Sequence, residues 1–260
     1  MADSGTYLYA ITALPGDPAP PRVQGVAGTP VRTVNSSGLT AYVSDVPLEE
    51  FGAETLRRNL EDLAWLERTA RAHDRVVGAV ARTRPTAPVR LVTVYRDDAQ
   101  IRAVLDQRAE EFKTVLSRIT GRSEWGVKVY ALAGPESEPE RASPDTGTNP
   151  GVAYLKRRRT ALREREEALR DAAAGADHIH VTLSAIAVAT RRHPLQDPQL
   201  SGRKEHMLLN AAYLIDDDRR ESFEATARAL RLPDLDLQVT GPWAPYSFAV
   251  LDEPDTLSGP

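Results

Sequence analysis

Apolar and polar residues alternate along the stretch 123–130, which reads Ser-Glu-Trp-Gly-Val-Lys-Val-Tyr. A period of two is typical of a strand with one buried face, and this face carries Trp125, Val127 and Val129. Gly126 interrupts the opposite face. A glycine inside a strand indicates a bulge or the close approach of a neighbouring element, which we favour over a ligand site. The pattern therefore predicts structural roles for Trp125 and Gly126.

The residues before this strand predict alternating strands and helices. Strand patterns cover 6–14, 31–34, 39–46 and 88–95, and helical periodicity covers 56–80 and 101–119. This order indicates a mixed sheet with its helices on one face, as in ferredoxin-like domains. His73 lies on the apolar stripe of the first helical segment, which favours a hydrogen-bonded core histidine over a catalytic base.

The second half of the chain repeats this mixed pattern after a polar break. Residues 134–149 are rich in Pro, Glu, Ser, Gly and Thr, a composition typical of a linker. The patterns beyond it predict helices at 151–170 and 177–192, a strand at 207–215, a helix after 218, a strand at 235–240 that ends at Gly241-Pro242, and an extended segment at 246–251. We therefore predict an α+β chain with domains 1–133 and 150–252, a linker at 134–149 and a short polar C-terminal tail at 253–260.

Composition excludes several classes of protein. The 260 residues are 41% hydrophobic and 27% charged, which suits a globular chain with substantial cores. No run reaches the roughly 20 apolar residues of a membrane span, and the first residues do not resemble a secretion signal, so a cytoplasmic location is expected. The net charge of -4 gives no general attraction to nucleic acid, and the absence of cysteine excludes disulfides and thiolate sites.

One local basic cluster is a candidate contact surface. It consists of Lys156, Arg157, Arg158 and Arg159. These cations are candidates for binding an acidic partner or a nucleic acid, whereas the nearby carboxylates at 164–167 favour a solvated, salt-bridged helix face.

The sequence predicts no catalytic, cofactor-binding or metal-binding residue. It contains no phosphate-binding glycine loop, no Gly-x-Ser-x-Gly and no His-Glu-x-x-His. The three acids at 216–218 precede a helix, where its dipole favours them, so capping is preferred to a Mg²⁺ site. His178 and His180 are two positions apart and fall on different faces of a helix. An acid/base pair of His73 and Asp74 stays open as the enzyme alternative.

Four dispersed segments resemble, in order, the signature segments of the gas vesicle protein F/L family. They are Glu-Trp-Gly-Val-Lys-Val-Tyr at 124–130, Gly-Val-Ala-Tyr-Leu-Lys-Arg-Arg at 151–158, Leu-Asn-Ala-Ala-Tyr-Leu-Ile at 209–215 and Gly-Pro-Trp-Ala-Pro-Tyr-Ser-Phe at 241–248. The resemblance spans Tyr7 to about Val250. Within the last segment Trp243 and Tyr246 lie in or beside apolar strands, so we predict them as structural anchors, like Trp125 and Gly126.

The resemblance implies two α/β domains of modified ferredoxin-like type and a chaperone-like, non-catalytic accessory protein of gas vesicle assembly. Such a protein binds the small hydrophobic shell protein and limits its aggregation. The implied partners are the shell protein and other gas vesicle accessory proteins, with no nucleic acid, membrane or cofactor, and the implied locations are the cytoplasm and the gas vesicle. A nucleic-acid-binding module that uses the basic cluster and an enzyme with an unrecognised site remain the alternatives.

Overall fold

A computed structural model describes residues 3–13, 20–132, 150–196 and 205–249. The backbone divides into two compact units, Met1–Glu124 with Pro242–Pro260, and Trp125–Gly241. This division differs from the predicted domains, because the boundary falls inside a strand at 124/125 and the segment after Gly241 groups with the first unit. The predicted linker at 134–149 and the tail at 253–260 lie outside the described residues.

The first unit is built on an antiparallel sheet. Its elements are β1 (Ser4–Ala13), β2 (Arg32–Ser36), β3 (Leu39–Pro47), α1 (Leu48–Phe51), α2 (Ala53–Asn59), α3 (Leu63–Ala81), β4 (Ala87–Pro88), β5 (Val94–Tyr95), α4 (Asp98–Gln107), α5 (Ala109–Ile119) and the start of β6 (Arg122–Ala131). The strand order is β2-β3-β1-β4, and β5 also pairs with β1. Strand β1 is buried along both faces from Gly5 to Thr12.

Local chemistry explains two features of the first unit. Ser37 and Gly38 both have positive φ angles, 49° and 76°, which suits the tight turn that joins β2 to β3 as an antiparallel hairpin. The long helical pattern at 56–80 forms two helices, α2 and α3. Asp62 is the N-cap of α3, since its side chain accepts hydrogen bonds from the backbone amides of Ala64 and Trp65. This cap starts a second helix after α2.

The prediction of a continuous strand at 88–95 is only partly correct. Its two ends pair with β1 as β4 and β5, whereas the residues between them leave the sheet. Val92 adopts a φ of 65°, a left-handed conformation that interrupts an extended strand. The backbone amide of Val92 donates a hydrogen bond to the Tyr7 hydroxyl over 2.9 Å, which stabilises this departure.

The second unit has six main elements. They are the remainder of β6, α6 (Pro150–Ser184), β7 (Ala189–Arg192), β8 (Met207–Asp216), α7 (Arg220–Ala229) and β9 (Leu235–Trp243). The strand order is β7-β8-β6-β9. The order β-α-β-β-α-β is that of ferredoxin-like motifs. The α+β class is confirmed, and the ferredoxin-like assignment stays a prediction.

Three predictions in the second half need correction, two of them only in where the element ends. The helix predicted at 177–192 belongs to α6 only as far as Ser184, because residues 189–192 pair with β8 in an antiparallel register. Gly241-Pro242 does not end the strand, and β9 continues to Trp243. Of the extended segment predicted at 246–251, residues 246–249 form a turn, with the amide of Ala249 donating to the carbonyl of Pro245, and residues 250–251 lie outside the described part of the chain.

Candidate partner-binding surface

Helix α6 changes character along its length. It has 35 residues, about 50 Å at 1.5 Å per residue. In its second half Ala172, Ala176, Ile179 and Leu183 are buried in the core of the second unit. Every described side chain from Tyr154 to Asp171 is exposed. Only the second half of α6 therefore has a packing partner among the described residues.

The first half of α6 carries an exposed apolar stripe. Leu155, Leu162 and Leu169, which we call the leucine stripe, are 63%, 54% and 45% exposed, and Tyr154 beside them is 56% exposed. The three leucines recur at every seventh position, so they share one face of the helix. Isolated exposed leucines are ordinary, but a row of them on one helix face is typical of an interaction surface.

The predicted basic cluster lies beside this stripe. Lys156, Arg158 and Arg159 are exposed, and the side chain of Arg157 lies outside what the structure describes. Between residues 154 and 171, no described side chain forms an ion pair with another described residue. The sequence favoured a solvated, salt-bridged helix face. The described part of this face is solvated, but it does not contain the expected salt bridges. The charges of Lys156, Arg158 and Arg159 are exposed to solvent.

His73 is a core residue. Its side chain is 2% exposed, and its Nδ1 is hydrogen-bonded to the Tyr7 hydroxyl over 3.1 Å. Burial lowers the pKa of His73 to about 4, although the nearby Val89 backbone acts in the opposite direction, so the ring is neutral at pH 7. Asp74 is exposed at the next helical position. The two side chains do not form the acid/base pair that the enzyme alternative requires.

The four predicted anchors occupy unlike environments. Trp125 is 4% exposed and packs on Phe223, with ring centroids 5.6 Å apart. Tyr246 is partly buried, with its ring 6.1 Å from that of His73. Trp243 is 50% exposed at the end of β9, which does not suit a buried anchor. The structural role of these side chains stays a prediction.

Gly126 faces a neighbouring side chain at short range. A Cβ atom added at Gly126 would lie 2.9 Å from the Oγ1 of Thr240, and that hydroxyl is 3.5 Å from the carbonyl oxygen of Gly126. Strand β9 is the neighbour of β6, so the contact lies within the sheet. This geometry agrees with the close approach that the sequence indicated at this glycine.

The described residues contain no candidate metal-binding cluster, and their pockets differ in size. Across 3–13, 20–132, 150–196 and 205–249, no group of three or more His, Asp or Glu side chains is arranged around a possible metal ion. A cavity of about 50 Å³ in the first unit, lined by Leu8, Phe112 and Tyr246 among others, has room for water rather than for a substrate. A more open pocket of about 350 Å³ in the second unit, lined by Trp125, Glu224 and Arg228 among others, has the volume of a small-molecule site. None of the helices described is both long and apolar enough to cross a membrane.

The family model described as "Gas vesicle synthesis protein GvpL/GvpF" matches residues 5–250. The chain belongs to this family. Gas vesicle protein L of Streptomyces sp. (strain CB03234) is 39% identical over 250 residues, which cover 96% of this chain and 94% of that protein. Gas vesicle protein F of the same strain is 29% identical over 255 residues, covering 94% of this chain and 98% of the relative. The resemblance inferred from the four dispersed segments is confirmed.

Two crystal structures share the fold. GvpF from Anabaena sp. PCC7120 has a TM-score of 0.66 and 21% identity, with 96% of this chain and 98% of that chain covered. GvpF from Microcystis aeruginosa has the same TM-score and 19% identity, covering 95% of this chain and 99% of the other. The similarity therefore extends over both compact units.

The leucine stripe was not predicted from the sequence of this GvpL/GvpF family member. The run of charges at 156–159 predicted a contact surface, whereas the apolar residues at 155, 162 and 169 were not recognised as one. A seven-residue interval was the available signal. That interval does not by itself distinguish a buried stripe from an exposed one, and only the tertiary packing of α6 shows that the described side chains of its first half are exposed.

Proposed function

We propose that this protein is an accessory factor of gas vesicle assembly that binds the small hydrophobic shell protein and limits its aggregation. Membership of the GvpL/GvpF family over residues 5–250 supports the role in assembly. The exposed first half of α6 supports a binding role, and it is the observation on which the proposed contact depends. Other gas vesicle accessory proteins are proposed as further partners, and the cytoplasm and the growing vesicle as the places of action.

Physical chemistry explains why such a client needs a partner. A protein that lines a gas space exposes apolar surface before it is assembled, and such surface aggregates unless it is covered. The leucine stripe offers apolar contact area. Lys156, Arg158 and Arg159 offer charges that attract an acidic segment of the client and set its orientation.

The test compares purified shell protein with and without this chain, using light scattering and co-purification. We expect lower scattering and a recovered complex in the presence of the chain. The combined substitution Lys156→Glu with Arg158→Glu should weaken the complex. Arg68→Glu with Arg75→Glu is the matched control, because it makes the same charge change at exposed positions of α3 in the other unit.

Unchanged aggregation and no complex, with both proteins folded by circular dichroism, would refute the shell-protein proposal. Equal weakening by the control pair would instead show that net charge matters and that the basic cluster has no special role. Retention of nucleic acid in a salt-dependent manner would favour the nucleic-acid alternative.

A further inference from the structure

The pocket of about 350 Å³ in the second unit is formed by residues of β6, of β9, of α7 and of the segment that follows α7. All of them belong to the unit Trp125–Gly241, so the pocket lies within one compact unit. Its volume falls at the lower end of the range for small-molecule sites, about 300–1,000 Å³. We call it the α7–β9 pocket.

The inner surface of the α7–β9 pocket is apolar. Trp125 and Ala227 are 4% and 3% exposed, whereas Leu237 and Val239 are only half-buried. The last two residues are two positions apart on β9, the edge strand of its sheet, so they lie on one face. Side chains that the core leaves partly uncovered offer contact area to the apolar part of a ligand.

The indole N–H of Trp125 lacks a hydrogen-bond acceptor. Its Nε1 atom is buried, and no described residue accepts from it. A buried indole N–H ordinarily finds a partner, and leaving such a donor unpaired lowers stability. Trp65 shows the ordinary case, because its Nε1 donates to Oε1 of Glu50 over 2.6 Å. Trp125 therefore brings to the pocket a donor for which the described fold supplies no acceptor.

The mouth of the pocket carries an excess of positive charge. Arg228 and Arg231 both line the pocket and are exposed. Glu224 also lines it, and its Oε2 lies 2.9 Å from Nη2 of Arg228, which offsets that cation. Arg231 forms no ion pair with any described residue. The lining thus has one cation more than it has carboxylates, which favours a ligand with a single negative charge.

We propose that the α7–β9 pocket binds a small carboxylic acid in its anionic form. The apolar body of the ligand packs against Leu237, Val239 and the ring of Trp125. Its carboxylate pairs with Arg231, and one carboxylate oxygen accepts a hydrogen bond from Nε1 of Trp125. Because that atom is buried, the bond forms with a small movement of the side chains around it. The role of Trp125 in packing on Phe223 is retained, since only its N–H is used.

A carboxylate fits this pocket better than a phosphate does. A phosphate carries up to two negative charges, more than the single excess cation balances. The residues that α7 contributes lie in its middle and last turns, and the dipole of a helix disfavours anions at its C-terminal end. A planar carboxylate also matches the paired donors of an arginine side chain. The proposal does not rest on the proposed function, because it requires no shell protein.

Proton NMR of the indole N–H groups of the full chain tests the proposed hydrogen bond. The three tryptophans, Trp65, Trp125 and Trp243, each provide one signal, and Trp125→Phe identifies the one of interest by its loss. Cyclohexylacetate is the probe, because it joins a carboxylate to an apolar ring that has no aromatic ring current. It should move the Trp125 signal downfield as the N–H becomes hydrogen-bonded. The Trp65 signal should stay in place, because that N–H is already bonded to Glu50.

Calorimetry with the same probe measures the role of charge. We expect a dissociation constant of about 1 mM or below, as befits so small a ligand. Arg231→Gln should raise this constant about tenfold, since it removes a charged partner of the carboxylate. Arg170→Gln is the matched control, because it makes the same change at an exposed position of α6 that does not line the pocket. Both positions are exposed, so circular dichroism should show unchanged folding.

The neutral amide cyclohexylacetamide separates recognition of the carboxylate from apolar contact. The natural protein should bind it about tenfold more weakly than the acid, and Arg231→Gln should remove most of that preference. Equal affinity for acid and amide in the natural protein would contradict a carboxylate site.

Two further results would overturn the proposal. An unchanged Trp125 signal at about 10 mM cyclohexylacetate, well above the expected dissociation constant, would show that the pocket takes no such ligand. Binding of a short peptide that ends in phenylalanine, without binding of cyclohexylacetate, would assign the pocket to polypeptide C-termini instead. Failure of shell-protein binding leaves all these measurements unaffected, so the two proposals fail independently.

Discussion

The carboxylate of Glu124 accepts two hydrogen bonds from Ser247, one from its backbone amide and one from its hydroxyl, each 2.7 Å long. The two residues are 123 positions apart and belong to the same compact unit. Glu124 is the last residue of that unit before β6 enters the other one. Its side chain therefore ties the segment that follows β9 to the first unit.

Glu124→Ala should lower the free energy of unfolding by about 1–3 kcal/mol, because it leaves the partly buried amide of Ser247 without this acceptor. Ser247→Ala removes only the hydroxyl and should cost about 1 kcal/mol. Urea unfolding measures both. Hydrogen exchange should also be faster in the segment 244–249 of the Glu124→Ala protein. Equal losses in the two variants would show that the amide bond contributes little.

The two tryptophans should differ sharply in their contribution to stability. Trp125→Ala should cost about 3–5 kcal/mol, since it removes a nearly buried ring from the core beside Phe223. Trp243→Ala should lower the free energy of unfolding by less than about 1 kcal/mol, because that side chain is half exposed. Thermal unfolding compares them. A Trp243→Ala protein of unchanged stability that no longer binds the shell protein would assign Trp243 a contact role instead of an anchor role.

Protonation of His73 should destabilise the protein in acid. Burial lowers the pKa of His73 in the folded state to about 4, from 6.5 for the ordinary side chain. The unfolded chain therefore binds the proton first, and the stability present above pH 6.5 is lost as the pH falls towards 4. Between pH 6.5 and 4, His73 should make the free energy of unfolding fall by up to about 1.4 kcal/mol for each unit by which the pH is lowered. Three tyrosines, Tyr7, Tyr9 and Tyr246, face the ring and stay uncharged, because burial raises the pKa of each.

The check is denaturant unfolding at several pH values for the natural protein and for His73→Phe. The substitution should reduce the slope between pH 6.5 and 4, whatever it does to stability at pH 7. His178→Gln is the control, since His178 is exposed on α6. Identical slopes in all three proteins would mean that His73 does not contribute to the acid sensitivity.

Gly126→Ala should lower the free energy of unfolding by less than about 1 kcal/mol. The new methyl group meets the hydroxyl of Thr240, whose exposed side chain can rotate away. Adding Thr240→Ala should remove most of that cost. Gly126→Leu should cost more than Gly126→Ala, since its larger side chain cannot be accommodated by rotating one hydroxyl. A loss of binding to the shell protein with no loss of stability in Gly126→Ala would contradict a purely structural role.

Local patterns were reliable wherever a strand or helix carried a strong period of its own. The alternation at 123–130 predicted β6 and its buried face, and the apolar run at 207–215 predicted β8. Both predictions succeed because the period of side chains along a strand is a local property. The failure at 189–192 has the opposite cause. Those four residues form β7 because they pair with β8, a contact that no local period records.

The sequence by itself determined the α+β class and the family. It also determined which residues form the apolar face of each strongly periodic strand or helix, since this follows from residue order and spacing. Only the tertiary structure decided which apolar positions have a partner. The period that buries Leu183 leaves Leu162 exposed on the same helix, because the described residues pack against α6 only along its second half. Burial depends on residues distant in the chain. For that reason the leucine stripe became a candidate binding surface only once the fold was known.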